Sequence, residues 1–576
     1  MLYESRDPML LRFAINPAAE VKGMRETSTT LSRWSRFLYR IPLFRGWISK
    51  QQVECLLLTK VLDGLESSID TLPEYLFEEA RPVDKNAVGI YLERLSDYLS
   101  IGYGCEEGSP VAEWSREELM DLASTQLFAK FEYTNNRVAE SLKLRPEHNL
   151  AIVSHKELWL AYYLSEVYCL VANGVMEVSL SRRGLLIKPS EDFSLRIKAY
   201  WLAQVSEENT TLSDMKMMAM ALERFRVAKV LPPVLENLML KMLMDKCLSI
   251  HADYVPAAMA ADPQYQLLRE IVCFALYLEL NAKAGQPHVS VAQMRSYVSP
   301  ATLSVIDAGL RGKLPLLDSV GSFVTRDERG YQRGPVKLKY GVKKLIQQSI
   351  GKVFVSRLGD YFEKDYIVNY MRSLSDPRFE LFDGFQGETK AAVKKFDIDF
   401  VLRDVESEIY YFVQVKYKAF YLPVYFGEQC RLMGDENFRK GFDVQLLELK
   451  RNLGDPTVRQ KLLGLGLQGA GVDNSHFILL HNLPFLNFYE FQGVIFYEWN
   501  LFRNLLKNGK VHFVKGNEVA QASLLRKPCF HRPDEIVAAY FEQGPLAAEM
   551  RKQFEMFKRT YVMFSYRGID VVCKTL

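Results

Sequence analysis

Two short runs in the second half of the 576-residue chain constrain its fold more than any other feature. KKFDIDFVL (394–402) alternates strictly, with Phe396, Ile398 and Phe400 pointing one way and Asp397 and Asp399 the other. After the turn-like RDVESE comes IYYFVQVKYK (409–418), with Val413, Val415 and Tyr417 on one face and Gln414 and Lys416 on the opposite one. Two alternating runs around a polar turn predict an antiparallel hairpin, turning near Val405. Asp399 then lies almost across from Phe412, and Gln414 is the next residue on that face. Asp399, Gln414 and Lys416 are expected to converge on one side of a sheet.

Such a cluster suits phosphodiester hydrolysis. Carboxylate and carbonyl oxygens hold Mg²⁺, a hard cation that prefers oxygen. The ion polarises the phosphate and acidifies its bound water, while a neighbouring lysine offsets charge building on the phosphorus oxygens. Upstream, SRLGDYFEKDYIVNYMRSL (356–374) reads as an amphipathic helix with Leu358, Phe362, Tyr366, Ile367 and Tyr370 on its apolar face. Glu363 lies beside that face, at the expected seam between helix and sheet. ELFDGF (380–385) is a short strand candidate; FRKGFDVQLLELKRNL (438–453), SHFILLHNL (475–483) and FQGVIFYEW (491–499) read as a helix and two strands. Alternating helix and strand predicts an α/β layer architecture.

Glu363, then Asp399 in its DID strand, then Gln-Val-Lys inside an apolar strand, resembles the PD-(D/E)XK restriction-endonuclease-like superfamily. The Gln in place of the second acid is similar to the Mrr-type branch. The resemblance implies a central mixed sheet flanked by helices. It also implies a metal set of Glu363, Asp399, Gln414 and the main-chain carbonyl of Val415, with Lys416 as the catalytic lysine. The implied cofactor is Mg²⁺, with Mn²⁺ as a substitute. The implied activity is DNA endonuclease cleavage in bacterial restriction or anti-phage defence, with RNA as the alternative substrate. Neutral Gln414 weakens the site's charge, shifting weight to Glu363 and Asp397. The rival is therefore a catalytically inactive nucleic-acid-binding or scaffold protein.

Several residues carry bland readings beside the sharp ones. Asp397 alone reads better as a solvated companion of Lys394 or Lys395 than as a ligand. Lys416 and Lys418 could simply protect a strand edge. Lys343, Lys344, Lys418, Arg439 and Lys440 are the candidate phosphate contacts. His476 and His481 lack ligand partners and read as structural.

Around this core, 337–505 is the expected α/β nuclease domain and 506–576 a C-terminal α/β extension that either packs on it or pairs subunits. Residues 321–336, rich in Gly, charge and turn formers, read as a linker. Residues 47–320 read as a mainly helical domain with a β-hairpin near 176–190 and a Met-rich stripe (Met215, Met217, Met218, Met220) as core filler. The segment 1–46 interleaves Arg33, Arg36, Arg40 and Arg45 with aromatic residues. That pattern favours docking on the body over contact with bases.

Residues 337–576 carry 35 basic against 28 acidic side chains, +7, and the remainder 38 against 42, −4. That places the basic surplus where a polyanion-directed site is expected. Eight scattered cysteines without a CxxC pair argue against a zinc site or a disulfide framework. Leu158–Met176 approaches a membrane span in length but is interrupted by Ser165, Glu166 and Asn173, so a buried helix is expected. The expectation is a soluble cytoplasmic protein without membrane contact, in which the helical region pairs subunits or holds a partner protein.

Overall fold

A computed structural model describes residues 176–180, 184–189, 211–250, 252, 254–310, 323–334, 338–350, 352–389, 392–419, 436–483, 487–488, 490–508, 510–515, 518–523, 529–542, 561–566 and 569–574. The basic–aromatic segment 1–46, the helical expectation for 47–175 and residues 543–560 of the expected C-terminal extension lie outside them. Among the described residues no helix is long and apolar enough to cross a membrane. The chain divides into two compact units, one of 199–422 with 436–544, the other of the remaining segments.

In the second of these units, β1 (Met176–Leu180) and β2 (Gly184–Pro189) form the hairpin expected near 176–190. β2 pairs in parallel with the C-terminal strand Ile569–Lys574, which is hairpinned to Tyr561–Tyr566. The sequence gives no register signal for such a pairing, because the two hairpins lie almost 400 residues apart.

The larger unit begins with helices α1 (Thr211–Ala228), α2 (Pro233–Leu248), α3 (Pro263–Lys283) and α4 (Pro300–Leu310). Asp262 starts α3: it accepts the N–H of Gln264 at 2.8 Å, and Pro263 occupies the first helical position, where a missing N–H costs nothing. The Met stripe of α1 is not core filler at Met220, which is exposed, while Ala221 and Phe225 are buried. The expected linker over 321–336 folds instead. Within it β4 (Val324–Arg326) and β5 (Gly330–Arg333) form a hairpin that joins β3 (His288–Ser290) in a three-stranded sheet. Arg333 fastens this hairpin to Glu279 of α3 at 2.6 Å, so helices, hairpin and α/β core belong to one unit.

That core is a mixed sheet flanked by helices. β6 (Phe379–Thr389), β7 (Ala392–Asp404), β8 (Ile409–Lys416), β9 (Ser475–His481), β10 (Glu490–Phe491) and β11 (Val494–Glu498) run in spatial order β10-β11-β9-β8-β7-β6. β8, β9 and β11 are mutually parallel, and the other neighbours antiparallel. Central β8 is buried from Tyr410 to Val415, as expected for a strand packed on both faces.

The register of β7 on β8 is set at its turn. Asp404 accepts the N–H groups of Glu406 and Ser407 at 3.1 and 3.4 Å, and its second oxygen takes Arg378 Nη2 at 2.6 Å. This centres the turn on Glu406–Ser407 rather than Val405. Phe412 therefore sits across from Val401, and the ladder ends at Phe400 opposite Val413. The next residues in line are Asp399 and Gln414. On the other side of β7, Gly384 lies opposite Asp399 in the same way. A Cβ there would stand 2.3 Å from the carbonyl oxygens of Ile398 and Asp399, so only glycine lets β6 approach.

Candidate active site

β7 and β8 part after the Phe400–Val413 pair, although β7 continues back to Ala392 along β6. The edge of β8 that β7 vacates would leave main-chain groups unpaired. Two carboxylates take their place. Asp399 accepts the N–H of Val415 at 2.6 Å, and Glu363 accepts the N–H of Tyr417 at 2.8 Å. Because N–H and C=O of one strand residue point the same way, the Val415 carbonyl faces this edge too. Lys416 lies between the two held residues, on the face it shares with Gln414.

Glu363 reaches the edge from a helix that runs as Lys352–Asp360, turns π-helical over Tyr361–Val368 and ends at Asn369–Ser373. Its packing is apolar, through buried Leu358, Phe362, Tyr366 and Ile367. Phe362 stacks on Tyr417 with ring centroids 4.7 Å apart. The helix is also anchored to α3: Arg357 and Tyr361 reach the buried carboxylate of Asp262 at 3.1 and 3.2 Å.

Burial pushes the Glu363 carboxyl up to about 7; Lys416 and the Tyr417 N–H oppose the shift, and nearby Asp399 adds to it. Burial likewise raises Asp399 to about 6, against the pull of the Val415 N–H and Lys416. Lys416 thus acts on both acids, and Asp399 on Glu363. All three belong to one electrostatic site.

Gln414 is 2 % exposed and its Oε1 has no hydrogen-bond partner. Its Nε2 stands 3.5 Å from the Val415 carbonyl, at the limit of a hydrogen bond. Gln414 follows directly on the Phe400–Val413 pair, so its buried oxygen, the two carboxylates and the Val415 carbonyl make up an all-oxygen set of donors along this stretch of β8. It fits a hard divalent cation. Among the described residues no three His, Cys, Asp or Glu side chains form a metal-holding group, so amide and carbonyl oxygens would supply the rest.

A second helix closes the site: Glu436–Arg439, a π-helical stretch over Lys440–Leu446, then Leu447–Arg451. Gly441 faces Lys416. A Cβ on it would lie 2.9 Å from Lys416 Cε and 3.0 Å from Cγ, so glycine leaves the channel in which the lysine stem runs. Four residues further on, buried Gln445 donates Nε2 to Asp397 at 3.2 Å. Gln445 and Gly441 were missed in the sequence. Gln445 interrupts the apolar stripe of Phe442, Leu446 and Leu449, and a polar residue in such a stripe was the available signal.

The end of β8 is held from α2. The Leu248 carbonyl accepts Tyr417 Oη and Asn482 Nδ2, each at 3.0 Å. Asn482 also bridges Lys418, taking its N–H at 2.9 Å and donating to its carbonyl at 3.1 Å.

Of the candidate phosphate contacts, Lys343 is corrected. It is buried, and its Nζ donates to Ser249 Oγ at 2.9 Å, next to the α2 C-terminus. The amphipathic helix Leu338–Ser349 turns this lysine inward. The side chain of Lys344 lies outside the described residues. Lys418 is half-buried, Arg439 stands 4.0 Å from Asp443, and Lys440 is exposed. The side chains of Lys394 and Lys395, offered as companions of Asp397, are likewise not described. Of the two histidines expected to be structural, His481 is buried and accepts the Leu483 N–H at 3.2 Å. His476, on the opposite face of the sheet from Gln414, stacks on His531 at 4.3 Å; burial pushes it down to about 4.

Compared with known proteins, the chain matches no family model, no curated protein and no solved structure.

Proposed function

We propose that this protein is a metal-dependent nuclease that hydrolyses phosphodiester bonds, most simply in DNA. The observation that carries the reading is the vacated edge of β8. There Asp399 and Glu363 hold the N–H groups on either side of Lys416, beside the orphaned Gln414 oxygen. The resemblance to PD-(D/E)XK enzymes, drawn from the residues alone, points to the same four side chains.

In this reading Asp399, Glu363, Gln414 Oε1 and the Val415 carbonyl would hold Mg²⁺ or Mn²⁺. The ion supplies charge for the phosphate and a more acidic water. Asp399 and Glu363 must be ionised to bind it, and their raised values make binding release protons. Lys416, its stem confined beside Gly441, directs its ammonium toward the phosphate oxygens and orients the attacking water. Exposed Lys440 is one candidate for backbone phosphate contact, as are Lys344, Lys418 and Arg439.

A non-catalytic, nucleic-acid-binding role is favoured by one specific observation: the neutral amide at 414 leaves two carboxylates at the edge. Purified protein incubated with linear, circular and single-stranded DNA and with RNA, with and without Mg²⁺ or Mn²⁺, separates the two. Cleavage dependent on the ion and lost in Asp399→Ala and Lys416→Ala supports the nuclease. Absence of ion-dependent cleavage on every substrate rejects it. Restriction or anti-phage defence is the setting that the resemblance suggests, and phage plating on cells carrying the wild type or Lys416→Ala tests it.

A further inference from the structure

The turn between α1 and α2 presents an apolar tip to solvent. Val227 and Val234 are 86 % and 83 % exposed and Val230 is 45 % exposed, with Pro232 and Pro233 also open to water. Scattered exposed apolar residues are ordinary, but a cluster rimmed by polar groups marks an interaction site. Three exposed cations, Arg224, Arg226 and Lys229, lie in the last turns of α1 and in the turn itself, against one acid, Glu223.

The tip is rigidly held. Lys229 has φ +59°, a left-handed conformation that a residue with a Cβ keeps only where its surroundings impose it. Two tyrosines impose it here. Tyr297 Oη donates to the Lys229 carbonyl at 3.1 Å, and Tyr277 Oη accepts the Leu231 N–H at 3.3 Å. Their rings stack 3.9 Å apart, and Tyr277 donates in turn to Glu236 at 2.7 Å. Leu231 is buried beneath the turn, and the two prolines fix the entry to α2. A tip so fixed loses little freedom when a partner arrives.

α2 connects this tip to the candidate active site. Its first turn carries Val234. Its last carbonyl, Leu248, accepts Tyr417 Oη, and the Tyr417 N–H is the one that Glu363 holds. At the helical rise, Val234 and Leu248 stand about 21 Å apart, roughly six base pairs of duplex.

We propose that the α1–α2 tip is a duplex-DNA contact, in which its cations meet backbone phosphates while the valines and prolines enter the minor groove and bend the duplex. The inference rests on the reading of the neighbouring site as acting on nucleic acid. Apolar wedges flanked by Lys and Arg open base steps in this way, and the bend lays more DNA on the protein. A second copy of the chain fits the tip less well, because a two-fold axis there would set the same cations against one another. A lipid surface favours aromatic residues at its interface, and Phe225, the one aromatic residue of 223–234, is buried.

The test uses the full chain in EDTA and a DNA duplex of about 20 base pairs labelled at both ends. Anisotropy reads binding, end-to-end energy transfer reads the bend, and circular dichroism confirms the fold of each variant. The wild type is expected to bind the duplex and to shorten its end-to-end distance. Val230→Glu and Val234→Glu should each weaken binding at least tenfold and abolish the shortening, whereas Val234→Met, still apolar, should match the wild type. Arg224→Gln and Lys229→Asn should each lower the slope of log affinity against log salt by about one. A wild type that does not bind the duplex overturns the contact. So do glutamate variants that bind and bend as the wild type does. Glutamate variants that lose only self-association in sedimentation, or only binding to phosphatidylserine vesicles, also overturn it and assign the tip to a second copy or to a lipid surface. Cleavage is a separate outcome: a chain that bends DNA through the tip, yet cuts none when Mg²⁺ is restored, keeps this contact and rejects the nuclease.

Discussion

The carboxylate of Asp399 accepts the main-chain N–H of Val415 at 2.6 Å, at the point where β7 and β8 part. One acid therefore does two jobs. It completes the hydrogen bonding of an exposed strand edge, and it fixes the position of Lys416, the next residue along. Replacing Asp399 by Asn keeps shape and a weak acceptor but removes the charge. Cleavage by Asp399→Asn and by Lys416→Ala is expected to fall at least about a hundredfold, the usual loss for one preorganised electrostatic group. Melting temperatures should change by only a few degrees. Single-turnover assays at saturating Mg²⁺ check this, and wild-type rates in both variants would reject the assignment.

Acid titration gives a prediction of unusual sign. Glu363 titrates at about 7 and Asp399 at about 6 in the folded chain, against 4.5 and 3.8 for ordinary carboxylates. Between those values the folded state holds more protons than the unfolded one, so the two groups lose stability as pH rises from about 4 to 7. For Glu363 alone the change is up to about 3 kcal/mol. Metal-free protein should therefore melt at a higher temperature near pH 5.5 than near pH 8, as far as these groups decide. Glu363→Gln should flatten that slope. Added Mg²⁺ should stabilise the wild type more at pH 8 than at pH 6, and calorimetry in buffers of different ionisation enthalpy should register proton release. A pH-independent metal effect would contradict the shared site.

The alternation of two strands placed Asp399, Gln414 and Lys416 on one face, and the apolar stripe of the preceding helix placed Glu363 beside it, because periods of two and 3.6 residues leave a direct trace in sequence. The register was two residues off. It depends on the Asp404 turn, whose hydrogen bonds to Glu406, Ser407 and Arg378 carry no periodic signal. The Leu248 carbonyl and Asn482 were not legible at all, since one is backbone and the other gains its role only when chain segments 234 residues apart meet. The region 321–336 was misread for a related reason. Gly330 and the charged turn look like a linker until β3, 40 residues upstream, supplies the strand that pairs with it.

Gly441 gives a prediction about the lysine alone. Its absent Cβ leaves room for Lys416 Cε and Cγ. Gly441→Ala puts a methyl group within about 3 Å of that stem, a distance the flexible lysine relieves by swinging away. Gly441→Ala is expected to keep metal affinity and fold, with a cleavage rate reduced about tenfold or more. Gly384→Ala meets backbone carbonyls at 2.3 Å instead and is expected to be destabilising, displacing β6 from Asp399. Chemical denaturation and metal titration of the pair separate the two effects. Equal stabilities would show that the β6 approach is not as tight as described.

Asn482 and Tyr417 carry the last prediction. Asn482 donates to the Leu248 and Lys418 carbonyls and accepts the Lys418 N–H, all in a nearly dry environment. Asn482→Ala removes three hydrogen bonds, each contributing on the order of 1 kcal/mol, while the Leu248 carbonyl keeps its bond from Tyr417 Oη. The stability loss should be about 3 kcal/mol, and amide exchange at Lys418 should rise. Tyr417→Phe removes only one hydroxyl. The Leu248 carbonyl keeps its bond from Asn482, and the ring keeps its stack on Phe362, so stability should fall by about 1 kcal/mol. Yet the Tyr417 N–H is the group that Glu363 holds. If the hydroxyl steadies that N–H, Tyr417→Phe should weaken Mg²⁺ binding severalfold with an unchanged melting curve shape. Mg²⁺ affinity identical to wild type, together with unchanged exchange at Tyr417, would show that α2 supports the sheet without tuning the acid edge.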